Sequence, residues 1–151
     1  MVIVQLANHC RDISVSVPAI RKLVRFVCNR FGLTRVTVGI AVVDDAQFRE
    51  VNVRFLKRGR TSDCLSFDLS DKKSADAPRL FELVINGEMA VTQSGLRGHS
   101  SRAELALYVT HGLLHQLGFT DATPAQARKM HNTEDEILQS LGYGPVYHKG
   151  G

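Results

Sequence analysis

Two histidines, His111 and His115, stand four positions apart in a segment whose neighbours favour a helix, so both imidazoles leave one face about a turn apart. That separation suits two nitrogen ligands on one metal ion. Gly118 follows, a residue type that ends helices in the left-handed conformation, and Asp121 comes three positions later. The order His-x3-His-x5-Asp lets a helix give two nitrogens and the turn behind it one oxygen to a roughly tetrahedral zinc site, with the fourth position left for water. The same residues admit a plain structural reading: half-buried histidines satisfied by carbonyl oxygens, with Asp121 a turn or capping residue ahead of Thr123 and Pro124. Two ionisable rings inside an otherwise apolar run weigh toward the metal. In a zinc protease helix of the H-E-x-x-H type the general-base Glu directly follows the first His. Here that position is Gly112. Peptide hydrolysis by that route therefore lacks its base, whereas a metal with an open position near arginines and lysines suits phosphodiester cleavage.

The elements that must hold these residues follow from periodicity. Residues 2–6 read as a short first strand, and Val17, Ile20, Val24, Val27 and Phe31 recur at helical spacing between Pro18 and Gly32. Residues 35–43 are β-branched and apolar on both faces, as in an interior strand covered by helices. Asp44 with Gln47 makes a capping box for a second helix whose stripe is Phe48, Val51 and Phe55. Residues 61–69 and 80–85 read as strands around an exposed loop at 70–78. Asn86-Gly87 signals a turn or bulge, with residues 88–91 resuming an extended path. Ser101 with Glu104 opens the histidine-bearing helix, and Thr123 with Gln126 opens a last helix carrying Ala127, Met130, Ile137, Leu138 and Leu141. His131, on that last helix, reads as a partly exposed side chain, since a ligand role needs the helix to fold back over the site. The fold expectation is α+β: a single domain over 1–151, a mixed sheet packed with helices, and a metal site on a helix of the C-terminal half. The tail, about 143–151, is Gly-rich and expected to fray.

Composition narrows the class. A chain of 151 residues with 44% hydrophobic content suffices for one core and not comfortably for two. Its cysteines, Cys10, Cys28 and Cys64, are odd in number and widely spaced, which argues against a disulfide framework and for a reducing, cytoplasmic setting. No basic leader and no apolar run of membrane-spanning length is evident, so no membrane partner is expected. The net charge of +4 favours a polyanionic partner. Arg54, Lys57, Arg58 and Arg60 crowd one stretch as candidate phosphate contacts, with Ser62 and Asp63 at the groove edge. Arg21, Lys22, Arg25 and Arg30 on the first helix read as a solvated face. Glu88 is a candidate for orienting a ligand or for acid–base work, and equally for a structural role beside Asn86-Gly87.

The run HGLLHQLGFTD from His111 to Asp121 resembles the signature of the YbeY family of rRNA maturation factors, zinc-dependent endoribonucleases specific for single strands. Further motifs are similar in the same order: Thr61 to Phe67 to the family's P-T-[DN]-V-L-S-F strand, Asn86 to Met89 to its G-D-I step, and Val51 to Phe55 to its L-N-x-x-[YF] helix end. The resemblance spans nearly the whole chain. It implies one Zn2+ per chain on His111, His115 and Asp121, single-stranded RNA of an rRNA precursor as substrate, ribosomal proteins as further partners, and a role in rRNA processing and ribosome quality control. His111, Arg58 and Glu88 take the catalytic roles and Arg54, Lys57, Arg58, Arg60, Ser62 and Asp63 the RNA contacts. Two departures stand out. The family usually has His where this chain has Asp121, and Arg where it has Leu56. These leave two rivals open, a non-catalytic RNA-binding assembly factor with a structural metal and a metal-dependent hydrolase of another substrate.

Overall fold

The structure, a computed structural model, describes residues 1–56, 62–71 and 77–149. A central four-stranded sheet runs in the order β1-β2-β4-β3, with β1 (Val2–Asn8), β2 (Val36–Val43) and β4 (Arg79–Asn86) parallel and β3 (Cys64–Asp68) antiparallel to β4. The sheet is therefore mixed, as expected of an α+β domain. β2 is interior because it is apolar on both faces. Val36, Val38, Ile40 and Val42 point to the larger core, and Val43 points to a smaller one with Phe48 and Leu65. The larger core is closed by α1 (Val17–Arg30) and α4 (Ser101–Gln116), with α3 (Gly87–Arg97) and α5 (Pro124–Ser140) beside α4. The other face is covered by α2 (Asp45–Leu56), whose capping box forms as expected: Gln47 N donates to Asp44 Oδ1 at 2.8 Å and Asp44 N to Gln47 Oε1 at 3.3 Å.

Some local expectations are corrected. Asn86-Gly87 does not turn the chain into an extended segment. Asn86 Oδ1 accepts from Met89 N at 2.9 Å and so starts helix α3 at Gly87. Asn serves turns and N-caps by the same side-chain chemistry, and the buried setting here selects the cap. The cap of α4 is Ser100, whose Oγ accepts from Ala103 N at 3.1 Å, and Glu104 points into the interior instead of back to the helix start. Phe55 is 62% exposed, with its ring edge-on to that of Phe67 at 5.8 Å. The described part of the tail, as far as Lys149, packs onto the domain. Val146 opens a short helix, α6 (Val146–Lys149), with its side chain buried, Tyr147 N donates to Asp135 Oδ1 at 2.9 Å, and Arg97 bonds the carbonyls of Val146 and Tyr147.

The helix α4 is the member around which the rest is packed. Its residues from Ala103 to Thr110 and from Gly112 to Leu114 are buried, because β3, β4, α1, α3, α5 and α6 surround it. Gly112 faces β3 so closely that a Cβ there would lie 2.7 Å from Cys64 Sγ and 3.1 Å from Leu83 Cδ2. No glutamate fits at that position. The missing protease base is thus a consequence of how tightly the helix seats on the sheet. Gly118, at φ +98°, ends the helix in a conformation that side chains disfavour and turns the chain toward Asp121.

Candidate functional site

The exposed end of α4 carries the histidine pair. His111 Nε2 and His115 Nε2 face each other at 3.0 Å, with the rings nearly perpendicular at 88°. Behind them lies Glu134 of α5, fully buried, whose Oε2 accepts from His111 Nδ1 at 2.7 Å and whose Oε1 accepts from His131 Nδ1 at 2.6 Å. A carboxylate on Nδ1 fixes the tautomer and leaves Nε2 as the nitrogen with a free lone pair. The His115 ring is hydrogen-bonded by the backbone of Phe119 as well.

These contacts set opposite proton affinities on the two rings. Burial alone would lower the pKa of His111, but the Glu134 hydrogen bond and the charges of Asp63, Glu134 and Asp121 outweigh it and hold the ring above its ordinary value. His115 is held below, first by burial and then by the neighbouring His111, against the pull of Asp121 and the Phe119 backbone.

Donor atoms of His111, His115 and Asp121 all lie within 4.8 Å of one another, and so do those of His111, His131 and Glu134, so either group could hold a metal ion. The first has two nitrogens converging on the same point. In the second, the spacings are those of charge-assisted hydrogen bonds, with both carboxylate oxygens already used by Nδ1–H donors. The chemistry of the donor set therefore favours the first as ligands and Glu134 as a partner that orients His111 among them.

Beside the pair opens a cavity of about 350 Å³ between α3, α4, α5 and the segment leading into β3. Ser62 and Asp63 line it, as do His111 and His131. They are held there by Asn86, which is fully buried: its backbone N donates to Asp63 O at 2.9 Å and its Nδ2 to Ser62 O at 3.2 Å. Deeper in the wall, Glu104 is paired with Arg97 at 3.3 Å and with His99, and its charge together with burial raises the Tyr108 phenol. Burial is the larger of those two effects. The Tyr147 ring lies flat on His131 at 3.6 Å, so α6 forms part of the enclosure.

Sequence expectations map unevenly onto this arrangement. His111, His115 and Asp121 come together, and Ser62 and Asp63 come to the cavity. Glu88 does not. It is exposed on the first turn of α3 with Oε1 3.4 Å from Asp45 N, and the carboxylate hydrogen-bonded to His111 is that of Glu134. Arg54 is exposed on the last turn of α2, and Lys57, Arg58 and Arg60 lie outside the described residues. His131 is partly exposed, as expected, and shares Glu134 with His111. Glu134 was missed, although Met130, Ile137, Leu138 and Leu141 mark an apolar stripe in which position 134 is the odd, charged member.

The class is an α+β sheet domain with histidines and a carboxylate gathered at one helix end, a group that could hold a metal ion beside a small cavity. The family described as Endoribonuclease YbeY matches residues 5–142. Among curated proteins of that name, one from Roseiflexus sp. (strain RS-1) is 40% identical over 114 residues, 71% of this chain and 71% of its own length. Another, from Clavibacter michiganensis subsp. michiganensis (strain NCPPB 382), is 28% identical over 138 residues, 87% of this chain and 90% of its own. A solution structure of a Thermotoga maritima protein shares the fold, with a TM-score of 0.60 at 18% identity over 97% of this chain and 95% of that one. The chain belongs to the YbeY endoribonuclease family.

Proposed function

We propose that this protein is a zinc-dependent, single-strand-specific endoribonuclease that trims rRNA precursors in the cytoplasm and takes part in ribosome quality control in contact with ribosomal proteins. The observation that carries the reading is the His111–His115 pair, Nε2 to Nε2 at 3.0 Å, with Glu134 behind it. His111, His115 and Asp121 hold the ion. When bound, a divalent ion there supplies a Lewis acid that polarises a phosphoryl oxygen and makes a water more acidic.

The chain's own groups do the rest. Glu134 keeps Nδ1 of His111 protonated and Nε2 turned outward. Arg54, Lys57, Arg58 and Arg60 contact phosphates, with Arg58 closest in role to the catalytic charge, and Ser62 and Asp63 border the path of the strand. Asp121 in place of a neutral imidazole adds negative charge at the ion and lowers its Lewis acidity. That departure favours, as second reading, an RNA-binding assembly factor with a structural metal.

One experiment separates these. Purified protein reconstituted with zinc is expected to retain about one ion per chain by elemental analysis, to lose it in His115→Ala, and to cleave single-stranded but not duplex RNA. His111→Ala should abolish cleavage while salt-sensitive RNA binding persists. Protein without bound zinc removes the metal assignment. Bound zinc with equal, background cleavage by parent and His111→Ala selects the assembly factor.

A further inference from the structure

We propose that the cavity beside the histidine pair is a pocket for one unstacked nucleobase carrying an exocyclic amino group, on the RNA strand whose phosphate meets the site; this rests on the endoribonuclease reading above. At about 350 Å³ the cavity falls within the range of small-ligand sites. Its walls suit the two faces of a base: Met89 of α3, and Leu107 and Tyr108 of α4, offer a polarisable thioether, an aliphatic side chain and an aromatic ring.

The polar groups in the wall narrow the ligand. Most are already occupied. Glu104 is held by Arg97 and His99, Glu134 by His111 and His131, and Arg97 also by the carbonyls of Val146 and Tyr147. Among the described residues, those left with capacity include Gln93, half-buried in the wall with no hydrogen-bond partner, Asp63, whose carboxylate receives a 3.4 Å contact from Ser62, and His131, whose Nε2 is left to accept while Nδ1 bonds Glu134. A Gln amide presents a donor beside an acceptor and pairs with a base edge that does the same. Asp63 only accepts, so the second group it meets must donate.

An amino-bearing base satisfies both, because one N–H can go to the amide oxygen and the other to the carboxylate. Uracil spends its single N–H on the amide and turns a carbonyl oxygen toward Asp63. The same enclosure supplies a reason for single-strand preference. A base can enter only after leaving its helical stack, at a cost that an unpaired strand largely avoids.

The test uses zinc-reconstituted full-length chain titrated calorimetrically with AMP, CMP, GMP, UMP and ribose 5-phosphate. The first three should bind on the order of tenfold tighter than ribose 5-phosphate, with UMP close to it. Gln93→Leu and the shape-preserving Gln93→Glu should bring AMP, CMP and GMP down to the ribose 5-phosphate level while zinc content stays at the parent value. Equal affinity for all five ligands overturns the pocket, as do variants that keep the base-dependent gain. RNA cleavage measured alongside keeps the two readings apart: cleavage without base-dependent gain rejects the pocket alone, and base-dependent gain without cleavage rejects the nuclease alone. Should Gln93→Leu fail to fold, the parent's own discrimination and Gln93→Glu decide.

Discussion

Among single side chains, Glu134 sets the state of the site, because its two oxygens hold the Nδ1 atoms of His111 and His131 from a position with no access to solvent. Glu134→Gln keeps the shape, but its amide nitrogen can only donate, so one of the two imidazoles must change tautomer or lose its bond. The expected result is a 10–100-fold (order-of-magnitude) loss of zinc affinity with the fold retained, read by competition with a chromophoric chelator and by circular dichroism. An unchanged zinc affinity would show that His111 is oriented without this carboxylate. The proposed ligands were legible in the chain because each lies within one local motif, where helical spacing alone predicts convergence. Glu134 was not, since its contact with His111 depends on how α5 folds back on α4, and nothing in a span of 23 residues encodes that angle locally. Glu88 was read from its place beside Asn86-Gly87 with a structural role left equally open, and its carboxylate faces Asp45.

At the level of elements, the seating of α4 on β3 depends on Gly112. A Cβ at 2.7 Å from Cys64 Sγ forces the helix or the strand to move, at a cost of about 1–3 kcal/mol typical of overpacked cores. Gly112→Ala is therefore expected to lower stability by that amount in denaturant titrations, and Cys64→Ala in the same chain should recover part of it by removing the obstructing sulfur. Additive losses in the double variant would place the strain elsewhere. Helices α1 and α5 were readable from periodicity and end signals, α4 from its spacing with the cap placed one residue late, and β2 from its two-sided apolar character. Helix α3 was not. Its sequence from Gly87 to Arg97 includes two glycines, and its first residues look like a strand continuation. What makes it a helix is tertiary: Asn86, held to Asp45 and Ser62 across the structure, is fixed where its side chain can only cap.

Over the whole molecule, the antiparallel edge of the sheet is pinned by Asp68 and Arg79, 2.9 Å apart and partly buried. Burial alone would raise the Asp68 pKa, but hydrogen bonds from Ser70 and the bond and charge of Arg79 prevail, so the carboxyl sits below its usual range. A depressed folded-state value means that the pair stabilises the native state above the unfolded pKa, about 4, and that this support fades as pH falls through the folded value. Asp68→Asn should thus cost on the order of 1 kcal/mol at pH 7, with the difference from parent shrinking below about pH 4 in urea titrations. A gap independent of pH would assign the loss to packing. The enclosure of the middle of α4 has one more implication. The buried middle of α4 is expected to exchange its amides slowly, whereas Asp121 lies exposed outside any helix or strand. Under the proposed assignment, the mount for the ion is stiff and its latch is loose, so an ion can be traded with solvent at the turn while the imidazole clamp stays set.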